Sequence, residues 1–93
     1  MHELIGCFVR SKSGRDAGRY YVIINTRHEY VYLVDGNIRT LDNPKKKNLK
    51  HINKSSYFDP VLAEKVIHKS VRNEEIKRAI KLLQVEISYK EVE

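Results

Sequence analysis

The 93-residue chain predicts a mainly β fold, a small β-barrel, followed by an α extension of two short helices. Three observations predict it. Residues 1–58 carry short β-branched and aromatic runs separated by polar or glycine-bearing turns. From Asp59-Pro60 onward the apolar residues recur at helical spacing instead. Domains commonly run to roughly 100–150 residues, so the length fits one domain with an extension. The boundary falls at the composition shift, giving a barrel over 1–58 and a helical extension over 59–93, packed on or beside it.

Each element has a local reason. Leu4-Ile5-Gly6-Cys7-Phe8-Val9 is a compact apolar strand with a glycine where it bends. Residues 11–18 are polar and hold two glycines, so they form a loop. Residues 19–26 and Tyr30–Val34 have strand composition, and Asp35-Gly36 signals a tight hairpin into residues 37–41. Pro44 bars a continued central strand, which makes residues 42–47 a loop. Leu49-Lys50-His51-Ile52 supplies one further short strand.

The second half changes period. Asp59 caps a helix whose first position is Pro60 and which runs to about Ser70. Asn73-Glu74-Glu75 opens the next, with acids where the helix dipole favours them. Ile76, Ala79, Ile80 and Leu83 make its apolar stripe, read either as a core face or as a groove for a partner, while Lys77, Arg78 and Lys81 lie off it. Val85-Glu86-Ile87-Ser88-Tyr89 alternates, so it reads either as a final strand or as a frayed tail.

Composition excludes several classes. With 41% hydrophobic and 32% charged residues, the chain is globular rather than disordered. One cysteine rules out an internal disulfide, and Cys7 reads as an inert core thiol. The sequence shows no signal peptide, and its longest apolar runs are far short of a membrane span, so a cytoplasmic protein without membrane association is expected. The four histidines are scattered without i, i+4 pairing, which predicts no metal site. No acid pair, nucleophile elbow or His–acid spacing suggests catalysis. The expectation is a non-enzyme with no cofactor and no small-molecule substrate.

The net charge of +6 is segregated. Residues 1–58 hold eleven Lys and Arg against five acids, whereas residues 59–93 balance at seven each. Arg39, Lys45, Lys46, Lys47, Lys50 and Lys54 crowd into one window against Asp42 alone. Such a patch attracts polyanions through its summed field, although a lysine run also serves simply as a solvated loop. The strand tyrosines Tyr20, Tyr21, Tyr30 and Tyr32 read as barrel bulk in preference to base-stacking platforms, and Tyr57 as cover for the junction.

The most specific local pattern is Gly6, Val9, Lys12, then Ser13-Gly14-Arg15-Asp16-Ala17-Gly18-Arg19. Glycines permit tight turns and close approach to a ligand, and the bases put positive charge at the loop tip. It is neither a P-loop nor a dinucleotide fingerprint, because the required glycine spacings are missing. Asp16 reads as the residue that caps backbone amides and holds the loop.

At these residues the chain resembles the KOW motif of ribosomal proteins and transcription elongation factors. Gly6, Val9, Ser13, Gly14, Arg15, Asp16, Gly18 and Arg19 match; Tyr20-Tyr21 stands where the usual form has another glycine. A second block, Val34-Asp35-Gly36, Arg39 and the run from Asn43-Pro44 to His51-Ile52, is similar to the latter half of large-subunit ribosomal KOW proteins. The arrangement also resembles short bacterial KOW-containing RNA-binding proteins, and the two blocks cover residues 4–53. The resemblance implies an SH3-like barrel that binds ribosomal or other structured RNA, in a ribosome- or translation-associated role. Phosphate contacts would come from Lys12, Arg15, Arg19, Arg39, Lys45, Lys46, Lys47 and Lys50, beside Ser13, Gly14 and Gly18 of the loop. Asn48 and His51 would add hydrogen bonds, including to ribose hydroxyls. Eight phosphate contacts would give a log–log salt slope of about −6 to −7, and the subset expected to engage roughly half that. The alternative is a protein-interaction adaptor with a ribosomal or transcription partner, because SH3-like barrels serve both roles.

Overall fold

The computed structural model describes residues 2–92, with side chains through residue 89. Five strands form one antiparallel sheet: β1 (Phe8–Ser11), β2 (Tyr20–Arg27), β3 (Tyr30–Val34), β4 (Lys45–Asn48) and β5 (Ile52–Lys54), in the order β4-β3-β2-β1-β5. Two C-terminal helices follow, α1 (Pro60–Ile67) and α2 (Asn73–Val92). The mainly β architecture with an α extension is therefore present, but the second helix is 20 residues long rather than short.

The centre of β2 shows why the sheet carries two cores. Tyr21, Val22 and Ile23 are consecutive and all buried, a run possible only when both faces of a strand are covered. Val22 is aligned with Phe8 and Val34 across the sheet, and this face packs on Leu62, Val66, Ile76, Ala79, Ile80 and Leu83 of the two helices. The opposite face gathers Val9, Tyr21, Ile23, Val31, Leu33 and Ile52. The predicted apolar stripe of α2 is thus a core face. Tyr57 covers the same helix-side core, with its ring 5.4 Å from that of Phe8.

Several expected boundaries move. The first strand does not begin at Leu4: His2–Leu4 is a 3₁₀ turn, and pairing starts at Phe8 after Gly6 turns the chain at φ 89°. Residues 37–41 form no strand, because Asp35 Oδ1 accepts from the amides of Asn37 and Arg39 and closes a local turn. Residues 45–47 belong to β4 rather than to a loop, since Pro44 lies just outside the ladder and Lys45–Asn48 pairs along β3. Leu49–His51 is a 3₁₀ turn, so the following strand is only Ile52–Lys54. Residues 85–89 continue α2; Leu83 and Ile87, four apart, both pack on the helix-side core.

Candidate nucleic-acid interface

The loop between β1 and β2 is built around one carboxylate. Asp16 is buried, and it accepts from Ser11 Oγ at 2.9 Å, Tyr21 OH at 3.1 Å and Lys47 Nζ at 2.6 Å. Lys45 Nζ adds an ion pair at 3.3 Å. Burial opposes ionisation of this group, but the hydrogen bonds from Lys47, Ser11 and Lys45 outweigh it and hold the carboxyl well below its ordinary range. Burial, reinforced by the adjacent carboxylate, pushes the Tyr21 phenol up to about 12. Where the sequence predicts Asp16 capping backbone amides to hold the loop, its carboxylate is bonded instead to side chains of three strands.

This network joins two basic segments that lie far apart in sequence. Lys47, on β4, bonds both Asp16 and the Ser13 carbonyl oxygen (2.7 Å). The Lys12 amide donates to the His51 carbonyl at 2.8 Å. The loop over residues 12–19 and the segment from Lys45 to His51 therefore form one continuous region.

Its bases are not equivalent. Lys45 and Lys47 point to one side of β4, and the Lys47 side chain is only 9% exposed, its ammonium committed to Asp16. Lys46 points to the other side, with its ammonium 4.3 Å from the Tyr30 ring centroid. Lys12, Arg15, Arg19 and Lys50 are exposed and, among the described residues, have no carboxylate partner. Asn48 caps the 3₁₀ turn, accepting from the Lys50 amide, and half-buried His51 ends it. Gly14 and Gly18 shape the loop: Gly14 accepts from the Ala17 amide, and Gly18 donates to the Ser11 carbonyl. Arg39 lies in the turn that begins at Asp35, where its carbonyl accepts from the amides of Asp35 and Gly36.

Sequence reasoning missed Arg10. Its side chain leaves the exposed position of β1, donates to the Gly18 carbonyl at 3.3 Å and lies 5.6 Å from the Tyr20 ring centroid. With Lys12, Gly18 and Asn53 it borders a cleft of about 520 Å³ beside the loop. The signal was the single outward position within an otherwise buried strand.

No family model matches this chain, and no curated protein matches it. No His/Cys/Asp/Glu group suited to a metal occurs among the described residues, and none of their helices is long and apolar enough to cross a membrane.

Proposed function

We propose that this protein is an RNA-binding module of KOW type, whose sheet is an SH3-like barrel that binds structured RNA through the region around the β1–β2 loop. The observation that carries the reading is the convergence of the loop and the Lys45–His51 segment on Asp16, with Lys12, Arg15, Arg19 and Lys50 left exposed around it. Exposed bases without a carboxylate partner neutralise phosphates and release counterions, which gives salt-dependent affinity with little base selectivity. The barrel reading is supported by the chain passing directly from one sheet edge, β4, to the other, β5, through the 3₁₀ turn. It is supported also by the second core gathered on one sheet face. A cytoplasmic, ribosome-associated role follows from the same reading, and no catalytic chemistry is assigned to the protein.

The test is binding to ribosomal RNA fragments across a salt series. With about four phosphate contacts the log–log slope should be roughly −3 to −4. Lys12→Glu/Arg15→Glu/Lys50→Glu alters only exposed side chains, and it should weaken binding at least tenfold while keeping the wild-type circular dichroism. Unchanged affinity in that variant would reject the reading. A second reading, a protein-interaction adaptor, is favoured by Leu82, Val85 and Tyr89, exposed at successive turns of α2. It predicts that substitutions there, rather than in the loop, abolish function.

A further inference from the structure

The charge-neutral helical extension conceals a basic segment. Lys77, Arg78 and Lys81 fall within five residues that contain no acid, whereas the acids of α2 lie nearer its ends. Helical spacing sends Lys77 and Lys81 along one side and Arg78 toward another. Lys77 and Lys81 face a cleft of about 320 Å³, whose opposite wall is Arg19, Tyr20 and Asp35. Arg78 instead borders a separate groove with Val61 and Leu82.

The placement is fixed by close packing. Gly36 adopts φ 80°, and a Cβ there would overlap the Asn73 carbonyl oxygen and lie 2.8 Å from the Lys77 amide nitrogen. Asn73 Oδ1 also accepts from the Leu41 amide at 2.9 Å. The turn after β3 is therefore seated directly on the first turns of α2, which sets Lys77 and Lys81 opposite Arg19, the last base of the β1–β2 loop. Arg19, Lys77 and Lys81 are exposed, and none has a carboxylate partner among the described residues. Asp35 is the one acid in the cleft, and its Oδ1 is already taken by the amides of Asn37 and Arg39.

Resting on the RNA-binding reading above, we infer that the RNA surface continues from the β1–β2 loop onto α2, where Arg19, Lys77 and Lys81 hold backbone phosphates in this cleft. Three bases against one carboxylate leave the cleft net positive and attractive to a phosphate chain, and it shares Arg19 with the loop. The helical extension is then part of the binding surface and sets how the RNA leaves the barrel.

The experiment uses the full chain and a fluorescein-labelled RNA hairpin, with affinity read by anisotropy across a salt series. Lys81→Gln and Arg78→Gln each remove one exposed charge from the same helix, but only the first lines the cleft. Lys81→Gln should weaken binding about threefold and reduce the log–log slope by about 0.7–0.9, with Arg78→Gln near wild type. Lys77→Gln/Lys81→Gln should reduce the slope by about 1.5. Equal effects of Lys81→Gln and Arg78→Gln, or no change in slope for the double variant, would overturn the cleft while leaving the loop surface intact. Failure of wild type to bind the hairpin, with ribosomal fragments also unbound, would overturn the RNA reading itself.

Discussion

Asp16 is the residue on which the candidate site depends. Removing its charge leaves Lys47 facing Asn while its ammonium stays nearly buried, a situation that typically costs about 3–5 kcal/mol. Asp16→Asn should lower unfolding free energy by that order in urea titrations. The acid limb supplies a second check. The folded carboxyl is held below its ordinary range, whereas an unfolded aspartate titrates near 3.9, so the unfolded state takes up the proton first. Wild-type stability should therefore be intact above about pH 4 and fall as pH drops below it, and Asp16→Asn should lack this contribution to the slope. Steeper acid loss in the variant would contradict the network. That Asp16 stands out as an acid inside a basic loop was legible, but its partners were not. Lys47 lies 31 residues away, and only the β3–β4 register brings it there. The Lys45-Lys46-Lys47 run looked like one patch because sequence order hides the strand alternation that sends its members to opposite sides.

At the scale of elements, helix docking explains two glycines. A Cβ on Gly6 would sit 2.6 Å from Ala63 Cβ of α1, and the Gly36 turn is seated on α2 in the same way. Both also have positive φ, so Gly6→Ala or Gly36→Ala should cost about 2–5 kcal/mol by combining backbone strain with overpacking. Thermal unfolding would check this; a loss below 1 kcal/mol would mean that the helices seat elsewhere. The reverse change is available at the end of α1. Lys69 has φ 57°, with the Ser70 amide bonded to the Lys65 carbonyl and the Lys69 amide to that of Val66, a C-terminal cap that favours glycine. Lys69→Gly should stabilise by up to about 1 kcal/mol. The strong helix starts at Asp59-Pro60 and Asn73 were readable because caps and acids are local signals. β4 was not, since three lysines have poor strand propensity and are held there by pairing with Tyr32, Leu33 and Val31. Residues 85–89 were ambiguous for a related reason: alternation over five positions also fits a helix whose Ile87 faces the core.

For the whole molecule, the basic excess divides into bases with different tasks. Lys45 and Lys47 neutralise a buried acid, and lysines on both edge strands also discourage edge-to-edge pairing. Lys12, Arg15, Arg19 and Lys50 remain exposed, and they are the bases that the RNA-binding proposal assigns to phosphates. Reversing Lys45, Lys46 and Lys47 together would therefore damage the fold as well as any binding face, whereas reversing exposed bases separates the two effects. The coarse fold class was legible because periodicity switches from two to 3.6 near Asp59. The shared core was not, because β2 buries both faces and so gives no sign of which one the helices cover. The most direct measurement of the central claim is a titration of the isotopically labelled protein with an RNA hairpin, following backbone amide shifts at low and high salt. The account predicts salt-sensitive shifts over residues 12–19 and 45–51, extending to Lys77 and Lys81. Shifts confined to the outer stripe of Leu82, Val85 and Tyr89, or none at low salt, would contradict it.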